Sequence, residues 1–308
     1  MEKINFIEEY QIFEDKLTSI ILNELKKFWI WLKNVEIFKA KNHVNFMLLW
    51  FLGNKKVLLK ANFFWRSILY LYELYSKSEK KFKNLIKEEL QNNKNKINNE
   101  AFALEKFLKK GLNTPKIYFQ TWNFFISDFL EDSIDFDDFL KKEKDFDFVS
   151  YKIDKILNTI NSVKDSKINF YSWFFKNLTA KKQKFLKQNF VLKNETIHWD
   201  FKANNLLYKE NDFYIIDPKI QKFSKYFDLW KFIVRGLLWE NKEFYKNYLK
   251  KYSNQEQKII LFLWLLDTKN LANSKQRKNE IEILWLENYN IRKQEKLINK
   301  MLDELVEN

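Results

Sequence analysis

The chain contains only three glycines, and one of them, Gly53, stands between two short apolar runs. The first run, VNFMLLWFL, covers residues 44–52, and the second, KVLLKANFF, covers residues 56–64. A Gly-Asn pair between runs rich in β-branched, aromatic and aliphatic residues is typical of a tight hairpin turn. A similar run, VEIFKAK, covers residues 35–41. The sequence therefore predicts three antiparallel strands, with Lys60 on the third.

Helical patterns surround these strands. Apolar residues recur at helical spacing over 2–33, which contains no Gly or Pro, and residues 66–92 are also expected to be helical. A helix over 99–111 is predicted to end at Gly111, because Pro115 follows shortly afterwards. The segment KIYFQTWNFFISDFL, residues 116–130, then predicts two further strands. The result is a five-stranded sheet with one helix packed on it.

The rest of the chain is predicted to be mostly helical, which gives an α+β fold with two lobes. We expect an N-terminal helical extension over 1–33, a small β-rich N-lobe with one main helix over 34–128, and a larger helical C-lobe over 129–308. On the predicted helix of the N-lobe, one apolar face is formed by Ile97, Ala101, Leu104 and Leu108. Glu100 points with this face. A carboxylate that faces a core needs a partner.

The stretch HWDFKANN, residues 198–205, places a histidine, an aspartate, a lysine and an asparagine within eight positions. A loop that only had to turn would more cheaply use Gly, Pro or Ser. Taken alone, Asp200 and Asn205 would also suit a turn whose side chains cap backbone groups. The following NNLLYKENDFYIID predicts a hairpin that leads to Asp217.

This pattern suits phosphoryl transfer, which asks for a base near the attacking hydroxyl and for oxygen ligands that hold Mg²⁺ on the phosphates. Asp200 is the candidate base, and Lys202 can reach the transferred phosphate. Asn205 and Asp217 are the candidate magnesium ligands. His198 is expected to hold the loop by hydrogen bonds rather than to take part in the chemistry.

These residues resemble the protein-kinase-like superfamily, and the resemblance extends from about residue 34 to 240. It implies that ATP and Mg²⁺ are bound, that Lys60 binds the α- and β-phosphates, and that Glu100 pairs with this lysine. FISDFL falls where the hinge of such kinases lies. Backbone groups from Asp128 to Leu130 would then bind adenine, with Leu207 beneath the ring.

The short spacing between Asp217 and the next aspartate indicates which branches of this superfamily the chain resembles. YFDLWKF contains Asp228, which matches the buried aspartate that braces the catalytic loop in this superfamily. Only residues 218–227 separate it from Asp217, so a peptide-docking activation segment has no room. This short connection is similar to the aminoglycoside phosphotransferase and choline kinase group, and to bacterial lipopolysaccharide-core sugar kinases.

The front half favours the sugar kinases. VEIFKAKNHVNFMLLWFLGNKKVLLKA, NNEAFALEKFLKKGLNTPKIY, FFISDFLEDSIDFDDFL and YFDLWKFIVRG resemble them block by block. The resemblance implies an ATP- and Mg-dependent kinase that transfers the γ-phosphate to a sugar hydroxyl of a lipopolysaccharide or lipooligosaccharide core, a heptose or Kdo residue. Its acceptor would be a sugar or glycolipid at the inner face of the cytoplasmic membrane.

Two alternatives stay open. The acidic run DFLEDSIDFDDF, residues 128–139, could attract a cationic acceptor such as an aminoglycoside or choline, or it could supply negative charge to a helix N-terminus. The loop near Lys41 to His43 has no glycine, whereas a glycine-rich loop would let backbone amides approach the phosphates. An inactive kinase-fold binding protein is therefore the further alternative.

The charge of the chain bears on its partners. The formal net charge is +14, and residues 36–116 hold 17 Lys/Arg against 7 Asp/Glu, which gives 17 − 7 = +10. Such a surface could meet nucleic acid, phosphorylated substrates or an anionic membrane, or could simply be solvated. Because no zinc-finger or RNA-recognition signature accompanies it, nucleic acid is not an expected partner. A solvated lysine-rich surface is the preferred interpretation, and a peripheral contact with an anionic membrane surface stays open as the alternative.

Composition excludes several other classes. The chain has no cysteine, so it can form no disulfide or thiolate metal site, and its two histidines argue against a histidine-rich metal centre. The longest apolar runs, at 46–52 and 259–266, are far shorter than the ~20 residues of a membrane-spanning helix. The charged N-terminus does not suit a signal peptide. A cytoplasmic protein is expected.

Overall fold

A computed structural model describes most of the chain, and the chain divides into two compact units. The first unit comprises Met1–Glu105 and Pro115–Glu131, and the second comprises Lys106–Thr114 and Asp132–Asn308. The structural description covers residues 2–26, 36–37, 46–52, 54–61, 68–92, 98–121, 124–143, 145–168, 179–180, 183–184, 195–236, 241–273, 300 and 303.

The first unit is built around one antiparallel sheet. Its described elements are α1 (Glu2–Lys26), β1 (Glu36–Ile37), β2 (Phe46–Leu52), β3 (Lys55–Ala61), α2 (Ile68–Lys77), α3 (Glu79–Asn92), α4 (Asn99–Lys109), β4 (Ile117–Gln120) and β5 (Phe124–Asp128). The strand order is β1-β2-β3-β5-β4, and every neighbouring pair is antiparallel. Leu52 lies opposite Lys55, which leaves a two-residue connection. The predicted hairpin and five-stranded sheet are confirmed, although Gly53 itself lies outside the described residues.

Alternation along β3 divides the sheet into two faces. Val57, Leu59 and Ala61 are buried on one face, in a cluster with residues of α1, α2 and α3. Lys60 points to the opposite face, because successive side chains of a strand alternate, and its register partner is Phe125 on β5. Phe125 belongs to the second cluster of this unit, together with α4. The side chain of Lys60 is therefore on the same side as α4.

The N-terminal helix is an integral part of this unit. Four of its apolar residues, spaced by four along the helix, are buried in the first cluster: Phe13, Leu17, Ile21 and Leu25. This spacing places them on one stripe of the helix surface, which is the arrangement that lets a helix cover a sheet. Residues 27–33 of the predicted helix lie outside the described residues.

α2, α3 and α4 occupy segments where the sequence predicts helix. Residues 68–92 are helical as predicted and form two helices, because the hydroxyl of Ser78 accepts the backbone N–H of Lys81 and starts a new helix. Residues 66–67 lie outside the described residues. The predicted apolar face of α4 holds at Ala101 and Leu104, but Leu108 is 44% exposed. Ile97 lies outside the described residues, as does the glycine-free loop at 41–43.

The second unit contains five of the nine described α-helices. Its described elements are β6 (Ile134–Asp135), α5 (Phe136–Leu140), α6 (Phe146–Asn161), β7 (Glu195–Ile197), a 3-10 turn (Ala203–Asn205), β8 (Leu206–Lys209), β9 (Asp212–Ile215), β10 (Gln221–Phe223), α7 (Tyr226–Gly236), α8 (Lys242–Lys250) and α9 (Asn254–Asn273). β8 and β9 form the predicted hairpin, with β6 beside β8, while β7 pairs with β10. The expected α+β class is confirmed.

Aromatic rings fill the core of the second unit. Phe136 at the start of α5 contacts the rings of Phe232 on α7 and Phe244 on α8, at centroid distances of 5.5 and 5.9 Å. Gly236 permits close packing of α7 on α8, because a Cβ there would lie 2.3 Å from the ring of Tyr245. No described helix in either unit has the length and apolar character needed to cross a membrane.

Candidate active site

The stretch after β7 is held by one buried aspartate on α7. The carboxylate of Asp228, which is fully buried, accepts the backbone N–H of His198 at 2.7 Å and that of Trp199 at 2.9 Å. Trp199 adopts a left-handed backbone with φ of 70°, a strained conformation for a bulky residue. Burial raises the pKa of Asp228 to about 7, against the opposing effect of these two donors. The bracing role expected for Asp228 is confirmed.

The ring of His198 connects two parts of the site. Its Nε2 lies 3.1 Å from the carbonyl oxygen of Ile216, and its Nδ1 lies 3.3 Å from the backbone nitrogen of Asp200. A carbonyl can only accept and an N–H can only donate, so Nε2 carries the proton. Burial lowers the pKa of His198 to about 4, so the ring is neutral at pH 7. As predicted, His198 holds the loop by hydrogen bonds.

Asp200 is nearly buried and faces two ammonium groups. Nζ of Lys202 lies 3.0 Å from Oδ2, and Nζ of Lys231 lies 3.5 Å from Oδ1. Burial would raise the pKa of Asp200, but the positive charges of Lys231 and Lys202 outweigh it and hold the pKa well below its usual range. The carboxylate is therefore ionised at neutral pH and can accept a proton or a hydroxyl hydrogen bond.

Two candidate metal ligands are tied to the same loop. Nδ2 of Asn205 donates to the backbone oxygen of Asp200 at 2.8 Å, so the amide oxygen of Asn205 is the group left as a ligand. The backbone oxygen of Asn205 accepts the N–H of Ile216 at 3.0 Å, and Asp217 follows directly with φ of 55°. An amide oxygen and a carboxylate fit Mg²⁺, which prefers oxygen ligands. Among the described residues no cluster of three His, Cys, Asp or Glu side chains could hold a metal.

In the first unit, the predicted ion pair between Lys60 and Glu100 is present. Nζ of Lys60 lies 2.8 Å from both carboxylate oxygens of Glu100. The two side chains are 9% and 13% exposed. The pair joins β3 to the first turn of α4, and the carboxylate that the sequence placed on the apolar face of that helix has its partner.

The expected adenine-binding segment, Asp128 to Leu130, lies within the described residues. The carboxylate of Asp128 accepts the hydroxyl of Tyr118 at 2.6 Å and the N–H of Lys116 at 3.1 Å, and it contacts Nζ of Lys55 at 2.7 Å. The backbone N–H of Asp128 donates to the carbonyl of Lys116 at 3.0 Å. Asp128 therefore ties β4 and β3 to the end of β5.

The other two predicted nucleotide contacts are leucines. Leu130 follows β5 and is partly exposed. Leu207 lies on β8 in the second unit, opposite Asp135 and Tyr214, and is also partly exposed. The adenine contact of Leu130 and Leu207 stays a prediction.

Three of the six carboxylates in the acidic run 128–139 are paired with lysines of the protein. Besides Asp128, Glu131 pairs with Lys56 at 3.0 Å and Asp138 with Lys141 at 2.9 Å. Asp137 accepts the hydroxyl of Tyr245 at 3.0 Å. These contacts weaken the argument that the run attracts a cationic acceptor.

Lys231 is the residue of this site that sequence reasoning missed. It lies three positions after Asp228 on α7, and its side chain is only 8% exposed. Residues three apart share one face of a helix, so a lysine following the bracing aspartate at this spacing was the available signal.

Comparison with known proteins identifies the fold. No family model matches the sequence, and no curated protein matches it. Among solved structures, choline kinase LicA from Streptococcus pneumoniae is 16% identical with a TM-score of 0.50, over 94% of this chain and 98% of that one. LicA in complex with AMP gives a TM-score of 0.56 at 15% identity, over 93% and 98%. A thermostable mutant of aminoglycoside phosphotransferase APH(4)-Ia gives 0.51 at 9% identity, over 93% and 98%. The chain therefore has the protein-kinase-like fold.

Proposed function

We propose that this protein is a kinase that transfers the γ-phosphate of ATP to a hydroxyl of a small-molecule or sugar acceptor. One observation carries the proposal. The side-chain amide of Asn205 donates to the backbone oxygen of the ionised Asp200, and the backbone oxygen of Asn205 accepts the N–H of Ile216, which directly precedes Asp217. This set supplies a base and two oxygen ligands, which are the parts that phosphoryl transfer requires.

Each residue has one role in this proposal. Asp200 orients the acceptor hydroxyl and accepts its proton as the new bond to phosphorus forms. Asn205 and Asp217 would hold Mg²⁺, which supplies charge neutralisation on the phosphates when bound. Lys202 offsets charge on the transferred group.

The proposed nucleotide contacts are the ones expected from the sequence: Lys60, the backbone from Asp128 to Leu130, and Leu207 on β8. Lys60, oriented by Glu100, binds the α- and β-phosphates. The backbone from Asp128 to Leu130 and the side chain of Leu207 contact adenine. The Lys60–Glu100 distance of 2.8 Å supports this assignment, because a lysine held by a carboxylate keeps a fixed direction.

For the acceptor we propose a sugar hydroxyl of a lipopolysaccharide or lipooligosaccharide core. The excess of ten positive charges over residues 36–116 supports an anionic glycolipid and a peripheral contact with an anionic membrane surface. The internal pairing of Glu131 and Asp138 counts against the cationic alternatives, an aminoglycoside or choline.

The test is phosphate transfer from MgATP to a panel of an inner-core saccharide, an aminoglycoside, choline and a generic protein. Asp200→Asn is expected to lower kcat by about 10²–10⁴-fold with unchanged MgATP affinity, because it removes the base and Asp200 is not one of the proposed nucleotide or magnesium ligands. Asp217→Ala is expected to abolish turnover and to weaken MgATP binding. Glu210→Gln, at the exposed turn of the same hairpin, is the matched control and should behave as wild type.

The outcomes separate the alternatives. Normal turnover in Asp217→Ala would refute the kinase proposal. Intact MgATP binding without transfer to any acceptor would favour an inactive kinase-fold binding protein. Transfer to the aminoglycoside but not to the saccharide would refute the acceptor and leave the kinase standing.

A further inference from the structure

The ammonium group of Lys231 occupies a pocket of aromatic rings beside the candidate base. Its Nζ lies 5.1 Å from the ring centroid of Phe227, 5.5 Å from that of Trp230 and 5.6 Å from that of Trp199. It also lies 3.5 Å from Oδ1 of Asp200. The side chain is 8% exposed, so the cation is held within the protein rather than in solvent.

These rings are arranged as a platform. Trp199 stacks on Phe227 with a centroid distance of 4.1 Å and an angle of 11° between the ring planes. Phe227 and Trp230 meet edge to face at 5.7 Å. Phe227 and Lys231 are four residues apart on α7, so the helix itself brings the ammonium over the ring. The backbone of Trp199 is fixed by Asp228.

Aromatic faces together with a carboxylate are the groups by which proteins bind ammonium ligands. In this protein the set is already occupied by an ammonium group of the chain itself. Lys202 adds a second cation at the other carboxylate oxygen of Asp200. A positively charged acceptor approaching Asp200 would therefore meet two like charges and would find these ring faces covered.

The other acidic groups nearby do not restore an attraction for cations. The carboxylate of Asp228 is fully buried and accepts two backbone N–H groups. Asp217 is a candidate metal ligand, so a bound Mg²⁺ would neutralise its negative charge. Lys219 acts on Asp200 as a third positive charge. The balance of charge around the base thus favours acceptors without a cationic group beside the reacting hydroxyl.

We infer that Lys231 is a specificity-determining residue that excludes cationic acceptors, so that the acceptor hydroxyl belongs to an uncharged or anionic molecule. This inference rests on the proposed kinase function, but the exclusion of cationic ligands can be measured by binding alone. It separates this chain from the choline kinase and the aminoglycoside phosphotransferase whose fold it shares.

The first experiment measures binding of choline to the full chain by isothermal titration calorimetry in the absence of ATP. Lys231→Ala uncovers the ring faces and removes one cation from Asp200, so choline should bind at least about tenfold more tightly than to wild type. Lys231→Arg keeps the cation and should reject choline as wild type does. Lys225→Ala removes a lysine just before α7 whose Nζ lies over Tyr226, and is the matched control.

The second experiment measures phosphate transfer from MgATP to glucose, glucuronate and glucosamine, which share one ring and differ in charge. Wild type should not prefer glucosamine to glucuronate, and Lys231→Ala should raise the ratio of kcat/KM for glucosamine over that for glucuronate by about tenfold. Thermal melting of each variant establishes that it is folded.

The proposal is overturned if wild type binds choline as tightly as Lys231→Ala does, or if a folded Lys231→Ala gains no affinity for choline. Should Lys231→Ala fail to fold, choline binding by wild type or by Lys231→Arg would still overturn it, and rejection by both would support it. Failure of wild type to bind MgATP would refute the kinase function alone, because the choline titration does not depend on ATP.

Discussion

The carboxylate of Asp228 on α7 accepts the backbone N–H of His198 at 2.7 Å, thirty positions earlier in the chain. This hydrogen bond, with its counterpart to Trp199, fixes the backbone from which Asp200 projects. The position of the candidate base is therefore decided by a residue that does not contact the base in the described hydrogen bonds.

Replacing Asp228 by Asn should destabilise the protein and lower turnover. An amide presents an NH₂ group to one of two N–H donors, so one buried donor loses its acceptor at a cost of about 1–3 kcal/mol. Urea denaturation measures the change in the free energy of unfolding. Asp135→Asn, at an exposed residue whose side chain makes no capping hydrogen bond, is the control and should change it by less than about 0.5 kcal/mol. Equal stability of the two variants would contradict the bracing role.

The Lys60–Glu100 pair should show strong energetic coupling. Lys60→Met or Glu100→Gln leaves one nearly buried group without its hydrogen-bond partner, so each single variant should lose about 1–3 kcal/mol, and the double variant less than the sum. The double-mutant cycle is measured by urea denaturation. The exposed pair Glu73–Lys77 on α2 is the control, with an expected coupling of at most about 0.5 kcal/mol. Additive losses at Lys60 and Glu100 would argue against a functional ion pair.

His198 should make stability fall in acid. Its pKa in the folded protein is about 4, below the ordinary 6.5, so between these values the unfolded state binds the proton and the folded state does not. The stabilisation is fully present above pH 6.5 and is lost as the pH falls, by roughly 3 kcal/mol at pH 4. The free energy of unfolding of wild type minus that of His198→Gln should fall by this amount from pH 7 to pH 4.

This difference isolates His198, because Asp228 titrates in the same range with the opposite sign and is present in both proteins. A difference that does not change with pH would contradict a neutral, buried ring. With His43→Gln, the chain retains a single histidine. ¹⁵N NMR of that variant should then show Nε2 protonated at pH 7.

The N-terminal helix should contribute directly to the stability of the first unit. Phe13 is fully buried and contacts the rings of Tyr72, Tyr75 and Phe82 at 5.5 to 5.7 Å. Phe13→Ala should cost about 3–5 kcal/mol, whereas Ile12→Ala, at a neighbouring residue that is 51% exposed, should cost less than about 0.5 kcal/mol. Thermal melting compares them, and a similar melting temperature for both variants would exclude a core role for α1.

The amino-acid sequence determined the order of strands and helices in the first unit, the hairpin after Asn205 and the set of candidate catalytic residues. These features rest on local patterns: alternation in strands, helical spacing and polar residues concentrated in one short stretch. The position of Glu100 on the apolar side of α4 also follows from helical spacing, which predicts that the carboxylate needs a partner. The choice of Lys60 as that partner came from the resemblance to the protein-kinase-like superfamily.

Only the tertiary structure decided which groups meet across long separations in the chain. The spacing from Asp228 places Lys231 on the same face of α7, but its approach to Asp200 depends on how α7 packs against the loop after β7. The same holds for the internal pairing of Glu131 with Lys56 and for the burial of Phe13 against α2 and α3. Local periodicity specifies the face that a side chain occupies, whereas its partner on another element is fixed by packing and charge once the elements come together.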